Sequence, residues 1–176
     1  AHLKPCEGNK AVLIAASSGW NNYRHQADIL AYYQLLKKNG FTDDDIMLII
    51  ADDLASDPKN PYPSQIIRNH KSLENLYTNV KVDYKLDEIT PFDLKNILTG
   101  KSSEKLPVVL DTDEHDNVLL LWSGHGAPGT LLWDENQKTI TGDFMSDLFN
   151  EMYAAGKYRK LFGLIEACYA GSVATK

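Results

Sequence analysis

Two short segments of this chain carry the side chains best suited to covalent chemistry. Ser123-Gly124-His125-Gly126 sets a histidine between two glycines. An imidazole with an unperturbed pKa of about 6.5 passes a proton in either direction near neutral pH. Glycine beside it admits a close backbone approach and can free an N–H to face a substrate oxygen. Glu166-Ala167-Cys168 runs into Tyr169-Ala170-Gly171-Ser172. A lone cysteine is most often a small buried hydrophobe, and a lone histidine after a strand can simply close a tight turn. A thiol within reach of an imidazole is different, because the histidine promotes the thiolate, a strong nucleophile. The pair reads as nucleophilic catalysis, provided the fold brings the two together.

Both segments follow apolar, β-branched runs. Ala11–Ala16, Ile46–Ala51, Asn117–Ser123 and Leu161–Ala167 read as buried strands. Between them lie helical patterns. Tyr23–Lys38 has Ala27, Leu30, Ala31, Gln34 and Leu35 at helical spacing and Asn39-Gly40 as a stop. Pro91–Leu98 starts with proline in the first turn and ends near Gly100, and Thr141–Ala155 has Asp143 near its N-terminus. Asp52–Pro63 is a loop, because Pro58, Pro61 and Pro63 forbid regular pairing. Strands separated by helices predict one α/β domain with a mostly parallel sheet covered on both faces. Such sheets bind ligands beyond the carboxyl ends of their strands. That places the chemistry in Ser17–His25, Gly124–Gly129 and Cys168–Ser172.

Composition excludes several other classes. The chain has 176 residues, 43% of them hydrophobic and 24% charged, a globular balance without internal repeats. Its formal net charge of −6 argues against a nucleic-acid or anionic-membrane surface. Its longest apolar runs, such as Val118–Trp122, fall far short of the roughly 20 residues that span a bilayer. Two cysteines, Cys6 and Cys168, cannot form a disulfide scaffold or a four-thiolate zinc site. Asp111–Asp116 resembles a calcium loop but has His115 and Asp116 where the fifth ligand and the sixth-position glycine belong, so it reads as a solvated acidic turn. Asp43-Asp44-Asp45 and Asp52-Asp53 read as turn formers. His2, His70 and His115 read as surface residues, and Trp20, Trp122 and Trp133 as packing residues, Trp20 bordering the candidate loops. No metal and no cofactor is called for, since HExxH, Walker A and GxGxxG are all missing.

Gly19-Trp20-Asn21-Asn22-Tyr23-Arg24-His25-Gln26-Ala27-Asp28, the strand and His-Gly element at 118–126, and Glu166-Ala167-Cys168 with Ala170-Gly171-Ser172 together resemble the legumain family. These are caspase-like cysteine peptidases that include asparaginyl endopeptidases and the catalytic subunit of the GPI-anchor transamidase. Asp52-Asp53, Asn60-Pro61, Val82-Asp83-Tyr84, Thr90-Pro91 and Leu98-Thr99-Gly100 extend the match over residues 11–172. The resemblance implies a caspase-like three-layer sandwich, with residues 1–10 a tail and 11–176 the large-subunit part of a peptidase domain. It implies Cys168 as nucleophile, His125 as proton donor to the leaving amine and Asn22 as the residue that orients it. The N–H groups of Gly126 and Cys168 would form the oxyanion hole. Arg24, His25 and Glu166 would line the S1 pocket, where a cation and an acid together pair with the two ends of an asparagine carboxamide. Legumains often carry Asp before the histidine, whereas Gly124 stands here, as in the transamidase subunits. The Glu-Ala-Cys element is closer to legumain.

The implied activity is therefore endopeptidase action through an acyl-enzyme thioester on a peptide or protein substrate. Transamidation or ligation is the alternative when an amine intercepts that thioester, and a non-enzymatic caspase-like binding protein is the alternative from another class. Lys176 lies shortly after Cys168, and a sheet ending at the fourth strand leaves a long apolar edge. The expectation is a processed zymogen whose second chain supplies the missing strands. Cleavage after Lys176 by the enzyme itself would instead imply a Lys/Arg-directed pocket. The expected compartment is outside the cytosol: secretory, lysosomal or cell-envelope.

Overall fold

The computed structural model describes residues 8–69, 71–134 and 138–175, so His2, Cys6, His70 and Lys176 fall outside the described residues. Strand β1 (Asn9–Ala15) lies near the middle of a parallel sheet with β2 (Ile46–Ile50), β3 (Tyr84–Lys85), β4 (Asn117–Ser123) and β8 (Lys160–Glu166). Its order is β3-β2-β1-β4-β8, and every pairing is parallel. Both faces of β1 are buried because its residues alternate between two cores. Leu13 packs with Ala27, Leu30 and Tyr33 of α1 (Tyr23–Lys38). Val12 and Ile14 share the opposite core with Ile97 and Leu98 of α2 (Pro91–Leu98) and Met145 and Leu148 of α3 (Gly142–Ala154). Helix, sheet and helix make three layers, as expected.

Between β4 and α3 the chain forms a small antiparallel sheet of β5 (Gly126–Ala127), β6 (Thr130–Trp133) and β7 (Lys138–Thr141). The sequence pattern gave no sign of it, nor of β3, because these strands are two to four residues long. So short a run cannot display a period. A four-residue helix, α4 (Ala170–Val173), follows β8.

The expected elements recur with small shifts. β1 starts at Asn9 rather than Ala11, and β8 covers 160–166 rather than 161–167. The buried face of α1 is a correction: Gln26, Ile29, Leu30 and Tyr33 point inward, while Leu35 is 53% exposed. Gln26 and Tyr33 carry polar atoms, which disguised the true stripe. Asp43–Asp45 forms a 3-10 turn closed by a capping box with Thr42, and Thr90 caps α2 in the same way. Trp122 and Trp133 are core residues, while Trp20 is half-buried and packs edge-on against Tyr23.

β8 is the sheet's outer strand on the β4 side. Phe162 is 62% exposed and Leu164 41%, in a strand whose composition is that of a buried one.

Lys10 ties the start of β1 to the entry of β2, its ammonium 2.8 Å from Asp45 Oδ1. Thr42 donates its N–H and its hydroxyl to the other oxygen of Asp45. These bonds, Lys10 first, hold the carboxyl down from its ordinary 3.8 to about 2. A depressed carboxylate contributes its stability above the unfolded value and loses it as the pH falls through the folded one. The stability gap between wild type and Asp45→Asn should therefore be full at neutral pH and close as the pH falls through about 2, read from denaturant midpoints across the pH range.

Candidate active site

The chain leaves β1 toward β2 on one side and leaves β4 toward β8 on the other. Such a reversal of strand order opens a crevice at the carboxyl edge. Register fixes what meets there. Ala15 pairs with Ser123, and Ser123 pairs with Glu166. The pairing continues one residue further, with Ala16 N–H donating to the Ser123 carbonyl at 2.9 Å and Gly124 N–H to the Glu166 carbonyl at 3.1 Å. His125 and Cys168 each stand two residues beyond a matched pair on strands about 4.8 Å apart. They leave the sheet side by side.

Cys168 sits at a sharp strand-to-helix turn and is exposed. Tyr169, the next residue, is in the left-handed conformation, with φ 57° and ψ 20°. That backbone costs an L-residue about 1–2 kcal/mol, and it bends the chain so that the thiol stands clear of the sheet. Ser172 braces the turn, donating to the Tyr169 carbonyl at 2.6 Å and accepting from Gly129 N–H at 2.7 Å. On the other side Gly126 lets the cysteine backbone in. A Cβ there would lie 2.1 Å from the Cys168 carbonyl oxygen. Only glycine fits. Leu132 N–H donates to the His125 carbonyl at 3.0 Å, so the adjacent Gly126–Leu131 pair is a non-hydrogen-bonded one. The Gly126 N–H therefore points away from β6.

Asn22 ends a 3-10 turn, Trp20–Asn22, and is 7% exposed. Its amide nitrogen donates to the Ser18 carbonyl at 2.8 Å, which leaves Oδ1 to face His125 Nε2 at 2.7 Å. An amide oxygen only accepts, so Nε2 carries the proton and Nδ1 is the nitrogen left for a reacting group. The turn is itself anchored. Gly19, at φ 80°, donates its N–H to Asp53 Oδ2 at 2.6 Å. Asp53 Oδ1 accepts from the fully buried Gln26 at 2.7 Å, and Ser18 donates to Asp134 Oδ1 at 2.7 Å.

His25 is 6% exposed and lies under His125, ring centroids 4.8 Å apart at 86°. Its Nδ1 is 2.6 Å from Ser17 Oγ. Burial, then the charge of Arg24 and then His125, push its pKa from 6.5 to about 4, so it is neutral at working pH. Arg24 and Glu166 are exposed, the Arg24 guanidinium donating to the Asn21 carbonyl at 3.3 Å. Of the expected S1 set, the fold presents Arg24 and Glu166 to solvent and turns His25 inward.

The sequence of the peptidase C13 family matches residues 9–176. The chain belongs to that family. A vacuolar-processing enzyme of Ricinus communis is 37% identical over 166 residues, covering 93% of this chain and 33% of its own length. The GPI-anchor transamidase of Homo sapiens is 36% identical over 169 residues, 94% of this chain and 42% of its own. A legumain of Canavalia ensiformis is 36% identical over 166 residues, 93% and 34%. This chain spans less than half the length of each of these relatives. Its three-layer parallel sheet is the caspase-like arrangement expected of a C13 protein.

Several supporting residues of this C13 site went unread in the sequence. Ser17 and Asp134 carried no motif, while Gln26 and Asp53 entered only as members of the runs that carried the resemblance, with no role assigned to either. A polar residue inside an otherwise apolar helix face, as Gln26 is, was the one available signal. Gly126→Ala should cost about 1–3 kcal/mol of stability through overpacking. Gly171, with open space around its Cβ position and a helical backbone, should tolerate alanine or gain up to about 1 kcal/mol. Paired urea melts check the contrast.

Proposed function

We propose that this chain carries the catalytic residues of a C13 cysteine endopeptidase, with Cys168 as nucleophile, His125 as acid and base, and Asn22 as the group that orients His125. One observation carries the reading: His125 and Cys168 follow the matched ends of neighbouring parallel strands, and His125 Nε2 is held by Asn22 at 2.7 Å. The thiolate attacks the scissile carbonyl carbon, forming a C–S bond and pushing the carbonyl electrons onto oxygen. The N–H groups of Gly126 and Cys168 receive that oxyanion, each donor contributing about 10²–10³ in rate. His125 gives its proton to the departing amine as the C–N bond breaks, leaving a thioester. Water, deprotonated by His125, then attacks the thioester, releasing the acid and restoring the thiol.

Arg24 and Glu166 form the proposed P1 recognition pair, a donor and an acceptor for the two ends of an asparagine side chain. Near-equal identity to a vacuolar-processing enzyme and to GPI-anchor transamidases favours a second reading, in which an amine replaces water as acceptor. The vacuolar relative's name also supports a compartment outside the cytosol. The exposed apolar strand β8 supports a further polypeptide, cut from the same precursor, whose strands cover Phe162 and Leu164.

Cys168→Ala should abolish hydrolysis of Asn-containing peptides and His125→Ala should nearly do so. Asn22→Ala should cost less, since it removes an orienting group rather than a reacting one. Full activity in Cys168→Ala would overturn the assignment. An Asn-directed chloromethylketone should add its mass at Cys168, and an unmodified intact mass would favour a binding protein without catalysis. Denaturing gel and native mass of active material should show two polypeptides, whereas a fully active monomer near 20 kDa would remove the second chain.

A further inference from the structure

Asn22 serves His125 in only one orientation of its amide, with Oδ1 toward the ring and Nδ2 away from it. The two ends of an amide differ in hydrogen-bonding sense but hardly in shape, so packing alone does not choose between them. The choice is made by the Ser18 carbonyl, which accepts from Nδ2 at 2.8 Å and leaves Oδ1 for His125 at 2.7 Å. That carbonyl belongs to the peptide unit joining Ser18 to Gly19. A peptide unit is planar, so its C=O and N–H turn together. Here the N–H end donates to Asp53 Oδ2 at 2.6 Å. Gly19, at φ 80°, would otherwise leave the unit free to rotate, since glycine lacks the Cβ that restricts such turning. The Gly19 carbonyl accepts from Asn22 N–H at 3.0 Å and closes the 3-10 turn.

We propose that Asp53 is a positioning residue for Asn22: its carboxylate locks the Ser18–Gly19 peptide plane, and that plane sets which end of the Asn22 amide meets His125. The inference rests on the proposed role of Asn22 in orienting His125. Asp53 suits the task because its second oxygen is engaged as well. Oδ1 accepts from Gln26 Nε2 at 2.7 Å, and Gln26, fully buried in α1, accepts in turn from Asp52 N–H at 3.1 Å. The Asp52 carboxylate is held by the Tyr77 hydroxyl and by Lys85, whose ammonium lies 3.3 Å from Oδ2. The Asp53 side chain is thus fixed between the loop after β2 and α1, and the Asn22 amide is fixed to it across one peptide. Both Asp53 oxygens face donors, so the position requires an acceptor at each end. Asparagine there would turn its NH₂ either toward Gly19 N–H or toward Gln26. Flipping the Gln26 amide would relieve the second case but strip Asp52 N–H of its acceptor. The negative charge also strengthens the bond at the far end of the peptide unit, since hydrogen bonds in series polarise one another.

Steady-state kinetics in a double-mutant cycle test the route, with a melt of each variant as the check on folding. Asp53→Asn keeps the size of the side chain and should lower kcat about 10-fold, within the roughly 10²-fold that a misplacement of about 1 Å can cost. KM and the ranking of P1 residues should stay at wild-type values, because Asp53 acts through Asn22. Beside Asn22→Ala the same substitution should change kcat less than about twofold, since the amide it orients is gone. Asp53→Glu keeps both acceptors but shifts them by a methylene. It should give a smaller loss that likewise vanishes beside Asn22→Ala, and it carries the test if Asp53→Asn melts below the assay temperature. Wild-type kcat in both folded Asp53 variants would overturn the inference. So would an equal fold-loss with and without Asn22, or a change confined to KM. Asn22→Ala alone is the control for the underlying reading. If it leaves kcat unchanged, the role of Asn22 fails and this inference falls with it. If it lowers kcat while the Asp53 variants do not, only this inference fails.

Discussion

The register at the carboxyl end of β4 is the constraint on which the site depends. Ser123 is paired on one side with Ala15 of β1 and on the other with Glu166 of β8. Because parallel strands run in the same direction, all three chain segments leave the sheet at one height and one edge. Ser17–Asn22, His125–Gly126 and Cys168 are thus collected by backbone hydrogen bonding before any side chain acts. A slip of one residue in either pairing would turn every side chain of that strand to the other face. The two hydrophobic cores that sandwich β1 forbid such a slip, since it would exchange Leu13 with Val12 and Ile14. Core packing and site geometry are the same constraint seen at two distances from the sheet.

Beyond that edge, order is carried by buried polar groups rather than by apolar contact. Ser17, Asn22, His25 and Gln26 are all buried, and each has a partner: His25, Ser18 and His125, Ser17, and Asp53 with the Asp52 N–H. Asp53 reaches from the loop after β2 to hold Gly19, and Asp134 reaches from the end of β6 to hold Ser18. The turn bearing Asn22 is therefore gripped from two directions. A buried network of this kind is stiff when every member is satisfied and costly when one is removed. Such stiffness suits a group that must hold an imidazole to within a fraction of an ångström. The loop bearing Cys168 is built differently, on a left-handed Tyr169, the Ser172 brace and the bare face of Gly126. It is strained and exposed, whereas Asn22 itself is buried.

Among the described residues β8 is the outer strand on the β4 side. Leu161, Phe162, Leu164 and Ile165 give it the sequence of an interior strand, yet it stands at the outer edge with Phe162 and Leu164 exposed. β3, at the opposite edge, is two residues long, which is the usual way to blunt an edge. The contrast between the two edges is what gives the proposed covering strands their place in the fold.

By itself the sequence determined the layer architecture and the edge of the sheet at which its candidate residues gather. Short β-branched and leucine-rich runs such as Val118–Trp122, bounded by turn residues, read as buried strands. The proline that opens 91–98, Asp143 near the start of 141–155 and the stop at Asn39-Gly40 bound the helices between them. From parallel strands and helices it followed that His125 and Cys168 lie at one edge. The three-strand sheet after His125, the polar anchors of the Asn22 turn and the inward course of His25 were not legible. Each depends on contacts between residues far apart in the chain, such as Gly19 with Asp53 and Ser18 with Asp134, and local patterning holds no record of them. The tertiary structure alone decided that His25 lies beneath His125 rather than at the surface. The reason is physical: the first turn of α1 is pressed against the end of β1, where Ser17 offers a buried partner and solvent offers none.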